Sequence, residues 1–234
     1  KYDLVDMYEF LLNKADFQME NIELLSDQDA SKYNIINTLT TFANKITVND
    51  LFVFYYTGHG FQTTDQYPFD ETDSKDEWIM PYDSDPYSLS LDISDEELKS
   101  YLDLIKSNQI LCIFDTCYSG GMFNGINDIN GGKYTVLAAC QENEKALANF
   151  GNLFFDYDNS LFTYHLLNGL IYGSDTDNNG WISAEEAFAY AKPKVEFETL
   201  DQHPTKYSGT LFVDLYNKPP QITTLDPADV STGI

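Results

Sequence analysis

The chain has 234 residues, with 13 basic residues, all of them Lys, against 38 Asp plus Glu, for a formal net charge of −25. That balance excludes a nucleic-acid partner, and the absence of Arg removes the bidentate clamp suited to acidic substrate groups. With 43% hydrophobic and 15% aromatic residues the sequence can build a core, so it reads as one globular domain with a short appendage.

In chain order, Leu4, Met7, Tyr8 and Leu11 recur at helical spacing over Asp3 to Asn13, and the short apolar stretch Ile22 to Leu25 predicts a strand. Ser31 is an N-cap signal for a helix carrying Ile35, Ile36, Leu39 and Phe42. Leu51 to Tyr56 is the longest apolar run and predicts a buried parallel strand. It falls far short of the ~20 residues that cross a bilayer, so no membrane insertion is expected. This strand ends in Thr57-Gly58-His59-Gly60, and a polar, acidic loop is expected from Gln62 to Glu77. Ser94 with Glu97 three positions on is a capping-box signal for a helix bearing Leu98, Leu102 and Ile105.

Gln109 to Phe114 predicts a second buried strand, which runs into Asp115-Thr116-Cys117-Tyr118-Ser119-Gly120-Gly121 and a glycine-rich loop to Gly132. Tyr134 to Ala139 predicts a third strand, Ser160 to Tyr172 a helix, and Thr210 to Tyr216 a final strand. Strands alternating with helices argue for an α/β domain over residues 1–216 with a mainly parallel sheet covered on both faces. From 217 to 234 the texture is Pro-bearing and polar, as in a linker. Lys1 in first position, with no basic-then-apolar leader after it, suggests a processed or trimmed start.

Three Cys in this length do not make a disulfide framework, so at least one thiol is expected free. Reactive groups in parallel sheets gather at the carboxyl ends of strands, and two such ends carry His59 and Cys117 in Gly-bearing turns. A thiolate is a strong nucleophile that a nearby His keeps ionised and assists by proton transfer. The amides of Gly60 and Cys117 are candidates for an oxyanion hole. Cys112, within a strand, and Cys140, at the end of one, read as core residues. His165 and His203 have no partner pattern and read as structural.

Asp175-Thr176-Asp177-Asn178-Asn179-Gly180-Trp181-Ile182-Ser183-Ala184-Glu185-Glu186 fits the twelve-residue EF-hand calcium loop. Side-chain ligands are expected from Asp175, Asp177, Asn179, Ser183 and Glu186, with the Trp181 carbonyl as a further ligand and Gly180 making the turn. A single loop of this kind suits a structural clamp rather than a sensor pair.

Three segments carry a family resemblance: Phe52-Val53-Phe54-Tyr55-Tyr56-Thr57-Gly58-His59-Gly60, then Glu71-Thr72-Asp73-Ser74-Lys75-Asp76-Glu77-Trp78-Ile79-Met80-Pro81-Tyr82-Asp83, then Ile113-Phe114-Asp115-Thr116-Cys117-Tyr118-Ser119-Gly120. In this order they resemble the caspase-like cysteine peptidases, metacaspases above all. Thr57 replaces a family Ser, Ser74 a Gly, Thr116 a Ser and Tyr118 a His, and no member of the Cys-His pair is lost. The resemblance implies a caspase-hemoglobinase-type sheet sandwiched by helices and a cysteine endopeptidase with Cys117 as nucleophile and His59 as its partner. It also implies a pocket for a basic residue before the scissile bond, built from Asp115, Thr57 and Asp3. Asp3 stands four residues before Met7 as the family pattern requires, but the family's first strand is missing or truncated before it. Apart from any family, two carboxylates with no Arg beside them favour a Lys or Arg side chain.

The resemblance further suggests self-cleavage near Lys133, calcium held by carboxylates outside the EF-hand-type loop, and a monomer. Against the second of these, the run Asp70, Glu71, Asp73, Asp76 and Glu77 reads as a solvated acidic loop. Similar calcium loops recur in surface-attached prokaryotic relatives, and residues 217–234 resemble the lead-in to an Ig-like module. An extracellular or cell-surface location is therefore expected, where millimolar calcium suits such a loop. Two other readings share the sequence features: a legumain-like peptidase or transpeptidase acting at Asn, and a non-enzymatic calcium-bound surface module.

Overall fold

The computed structural model of the chain describes residues 2–66, 69, 71, 73–148, 158–209 and 213–217. The first helix, α1 (Tyr2–Asn13), is followed by α2 (Lys32–Lys45), whose N-cap Ser31 accepts a hydrogen bond from the Asn34 amide at 3.3 Å. Strand β1 (Leu51–Thr57) leads into β2 (Gly60–Thr64), β3 (Lys75–Ile79) and β4 (Ile93–Ser94). Ser94 then caps α3 (Asp95–Leu102) by accepting from the Glu97 amide. Strands β5 (Gln109–Asp115) and β6 (Tyr134–Ala138) precede α4 (Leu161–Tyr172), β7 (Trp181–Ser183), α5 (Ala184–Glu198), β8 (Thr205–Ser208) and β9 (Asp214–Asn217).

The main sheet has the order β1-β5-β6-β8, with β1, β5 and β6 parallel and β8 antiparallel to β6. Alternation along β5 divides the core. Leu111 and Ile113 face a layer with Met7 and Phe10 of α1 and the helices α4 and α5, while Ile110, Cys112 and Phe114 face Ile35 and Leu39 of α2 and Leu98 and Leu102 of α3. A parallel sheet is thus covered by helices on both faces, as the alternating pattern requires. No helix among the described residues is long and apolar enough to cross a membrane.

The expected loop from Gln62 to Glu77 is instead largely a hairpin of β2 and β3, extended by β4 into a second sheet. Its strands are rich in charged and amide side chains, and what fixes them is cross-strand contact such as the stacked rings of Phe61 and Trp78, 6.1 Å apart. Ile22 to Leu25 forms no strand: it lies between two 3-10 turns with no ladder partner among the described residues. Of the final strand expected over Thr210 to Tyr216, residues 210–212 lie outside the described residues and the end forms β9, while β8 just before it was not expected. The expected linker also lies outside them, apart from Asn217.

Candidate active site

β1 and β5 are in parallel register with Thr57 opposite Asp115, so His59 and Cys117 each stand two residues beyond a paired position at the same end of the sheet. The Gly58 amide bonds the Asp115 carbonyl at 3.3 Å and holds the two strand ends together as they leave the ladder. His59 is exposed, and its carbonyl accepts from the Met80 amide at 3.0 Å and the Tyr56 hydroxyl at 2.8 Å. Gly60 lies so close to the second turn that an added Cβ would meet the Thr116 hydroxyl and sit 2.8 Å from the Cys117 carbonyl oxygen. Glycine is therefore required here by approach, not by φ. Cys117 is partly buried and is followed by Tyr118 at φ 64, a left-handed non-Gly residue that turns the chain sharply. The Tyr118 amide is anchored on the Glu144 carbonyl at 2.8 Å, and the Cys117 thiol lies 3.9 Å from the Ala146 carbonyl oxygen.

The three residues expected to form the specificity pocket meet below these turns. Thr57 donates to Asp3 Oδ2 at 3.1 Å, and Asp3 Oδ1 accepts from the Ser160 amide at 2.7 Å. Asp115 Oδ2 accepts from the Ser160 hydroxyl, from the Thr163 hydroxyl at 2.6 Å and from the Thr163 amide at 3.0 Å. Its carboxylate thereby caps the first turn of α4. All of these bonds fall on Oδ2, and none of the described hydrogen bonds uses Oδ1. Burial pushes the Asp115 carboxyl up to about 6; the Ser160 and Thr163 bonds oppose that rise and nearby Asp3 adds to it. Tyr55, whose hydroxyl lies 2.7 Å from that of Thr163, is driven well up by burial and then by the two carboxylates. Ser160 and Thr163 had no signal of their own beyond a helix start.

Cys112 and Cys140 are buried, and burial raises both thiols, Cys140 to about 11. His165 lies 2.8 Å from Glu198 and His203 2.6 Å from Glu144, partners that sequence spacing did not reveal. Lys133 is bound through its ammonium to the carbonyls of Leu102, Asp103 and Ile105 at 3.2 to 3.4 Å, so its side chain closes the end of α3.

The acidic run after β2 corrects the expectation of a solvated loop. Asp70 lies outside the described residues and Asp73 is exposed, but Glu71, Asp76 and Glu77 are buried, the last only 1% exposed. Glu71, Asp95 and Asp128 bring carboxylate oxygens within 4.8 Å of one another, all buried. Burial and then the neighbouring Asp128 push Glu71 up to about 9, while burial pushes Glu77 to about 8 and Asp95 well above the usual carboxylate range. Asp95 Oδ2 and Glu77 Oε2 have no hydrogen-bond partner among the described residues. A Cβ on Gly121 would collide with the Glu77 carboxyl and one on Gly125 with that of Glu71, so the glycine-rich loop is shaped around these acids. Buried carboxylates converging without a cation fit a hard divalent ion such as calcium.

In the expected calcium loop, Asp175, Asp177 and Glu186 converge within the same 4.8 Å limit, and the turn is made by Asn178 at φ 60 and Gly180 at φ 90. The Asn179 side chain donates to Asp177 at 3.2 Å and to Asp214 of β9 at 3.3 Å. The Ser183 hydroxyl is engaged as N-cap of α5 in a capping box with Glu186, and Trp181 sits in β7 paired with Asn217. Burial works against the Glu186 charge, but bonds from Ser183 and Thr176 outweigh it and hold the carboxyl below its usual range. The oxygen set fits calcium, with both Glu186 oxygens turned toward protein donors.

Fold and site together define an α/β protein with a Cys and a His on adjacent strand ends above a buried acid pair. Residues 1–125 match the model of the metacaspase, peptidase C14 domain, and the chain belongs to that family. It is 27% identical to metacaspase-1 of Schizosaccharomyces pombe over 51% of this chain and 29% of that protein. It is 30% identical to metacaspase-9 of Arabidopsis thaliana over 52% and 38%. The matched region thus spans about a third of the length of these curated relatives. In fold the chain is similar to the caspase-1 of Spodoptera frugiperda, with a TM-score of 0.57 at 11% identity, covering 94% of this chain and 82% of that one.

Proposed function

We propose that this chain is a cysteine endopeptidase cutting after Lys or Arg. The observation that carries the reading is that His59 and Cys117 stand two residues past the Thr57–Asp115 register pair, whose side chains join Asp3 and the first turn of α4. The Cys117 thiolate attacks the scissile carbonyl carbon, and the amides of Gly60 and Cys117 hold the developing oxyanion. His59 protonates the departing amine, leaving a thioester, and then takes a proton from the water that releases the acid product. The substrate cation is received by the acid pair, with Asp115 Oδ1 as its acceptor and no Arg in the chain to neutralise it. Protein substrates approach an enzyme of net charge −25, which steers basic segments toward it.

Calcium is assigned to the buried cluster of Glu71, Asp95 and Asp128 and to loop 175–186. Bound there, it supplies charge neutralisation and rigidity. The chain is taken to act as a monomer outside the cell or at its surface, where calcium is plentiful. The test is hydrolysis of peptides ending in Lys or Arg, Asn, and Asp, with calcium and with chelator. Cleavage of the basic peptides alone, abolished in Cys117→Ala, is the expected result. Asp115→Asn should lower kcat/KM for those peptides by about 10- to 100-fold, the worth of one charge-assisted hydrogen bond. Activity surviving in Cys117→Ala, or Asn peptides cut in preference, would overturn the proposal.

A further inference from the structure

The chain has three histidines, and the one at the strand ends is the one without a carboxylate on its ring. His165 and His203 lie against Glu198 and Glu144, whereas none of the described hydrogen bonds or ion pairs falls on the imidazole of His59. A group that works by proton transfer needs its ring held at a fixed angle, and a third group bonded to the ring commonly does this. Among the described residues that task falls to the backbone that carries His59.

That backbone is fastened at each step from Gly58 to Gly60. The Gly58 amide is bound to the Asp115 carbonyl, and Gly60 pairs with Ile79 in the ladder of β2 and β3. Between them the His59 carbonyl accepts from the Met80 amide at 3.0 Å and from the Tyr56 hydroxyl at 2.8 Å. The same hydroxyl lies 2.9 Å from the Met80 carbonyl, so its single proton is shared between the turn and the strand end on which the turn rests. Among the described bonds that hold this turn, Tyr56 supplies the only side chain. Its ring packs against the core cluster that holds Ile35, Leu39 and Phe114, and so ties the turn to the α2 face of the sheet. A Cβ on Gly58 would stand 2.7 Å from the Tyr56 oxygen, which means that the chain bends around that oxygen. Burial drives the hydroxyl pKa up, so the group stays a donor.

We infer that Tyr56 is a positioning residue for the proposed reaction: its hydroxyl fixes the angle at which the His59 turn presents the imidazole to Cys117. This role presupposes the proposed Cys117–His59 pair. The described bonds of the hydroxyl are to the His59 and Met80 carbonyls, so Tyr56 acts through the turn and not on the substrate. Removing the hydroxyl alone leaves the Met80 amide on the His59 carbonyl, and the turn keeps its course with one anchor fewer. The loss then falls on proton transfer and not on binding of the basic side chain, whose acceptors Asp115 and Asp3 are held by other partners.

The test compares the full-length protein with its Tyr56→Phe variant and with Tyr134→Phe, which loses a buried hydroxyl bonded to Asp103 at 2.7 Å, outside the candidate site. Two quantities are read: kcat and KM on a peptide ending in Lys, and the pH midpoint of Cys117 alkylation by iodoacetamide, followed by mass on the peptide that carries Cys117. Tyr56→Phe should lower kcat by about 10-fold, the worth of one hydrogen bond, with KM within about 2-fold. It should also move the alkylation midpoint about one pH unit toward the ~8.5 of an unpaired thiol. Tyr134→Phe should move neither, whatever it does to Tm. A Tyr56→Phe midpoint that stays where Tyr134→Phe leaves it overturns the role of Tyr56, as does a loss confined to KM. If the parent cuts no basic peptide, the peptidase reading fails while the midpoint still decides the role of Tyr56. A parent midpoint already at about 8.5 overturns that role outright, because His59 then does not pair with Cys117.

Discussion

Two groups of carboxylates in this molecule each converge to within 4.8 Å and solve opposite problems. In loop 175–186 the acids are close in sequence, Asp177 is exposed, and Glu186 is surrounded by donors from Ser183 and Thr176 that keep it ionised. In the cluster of Glu71, Asp95 and Asp128 the acids come from three distant segments, are buried, and are raised by burial and by one another. The loop is a motif that the chain stabilises by itself. The cluster is tolerable only as neutral acids or around a cation, so on the proposed reading it is the one whose stability should depend more on calcium.

The largest effect should come from chelation. Calcium at one hundred times its Kd contributes about 2.7 kcal/mol, so its removal should lower Tm by about 5–10 °C for a domain of this size. Asp128→Asn should remove most of that calcium-dependent increment and Asp177→Asn less than half, as read by thermal unfolding with and without chelator. The reverse ranking would break the comparison.

A second test is pH. In chelated protein Glu71 and Glu77, at about 9 and 8, keep protons that the unfolded chain has lost above its ordinary 4.5. Their contribution is present in full below about pH 4.5 and is lost as pH rises through 8 to 9. Glu186 has the opposite sign, since its stabilising bonds are present above pH 4.5 and fade as pH falls through its lowered value. If one pH unit of the cluster's shift is expressed in solution, about 1.4 kcal/mol, Tm of the chelated protein should fall by about 3–5 °C between pH 6 and 9. Added calcium should flatten that slope. The smallest effect is expected at Gly180→Ala, where space is open and only the φ of 90° resists. About 1 kcal/mol, or 2–4 °C, is expected there.

Legibility in the sequence followed the range of the interactions. Gln109 to Phe114 and Tyr134 to Ala139 announce strands because both their faces are buried, Leu51 to Tyr56 because its run is apolar throughout although only Phe52 is buried, and Ser31 and Ser94 announce helices because a cap is a contact three residues long. The hairpin of β2 and β3 was hidden because its polar residues pair across the ladder rather than alternate visibly. Cys117 and His59 stood out as strand-end residues, whereas Ser160 and Thr163 gain meaning only when α4 is packed against Asp115. The cluster was illegible for the same reason: Asp95 reads as a first-turn helix acid and Asp128 as a loop residue until folding joins them.

One feature of α4 reaches further than its role in the core. Its 12 residues form a rod of about 18 Å, with the Asp115–Asp3 pair held at its first turn and loop 175–186 opening just past its last. Gly169 presses on the Ala187 carbonyl of α5 between those ends, with no room for a Cβ. A side chain added at Gly169 would therefore push α4 off α5, the contact that lies between the acid pair and the loop, though it touches neither.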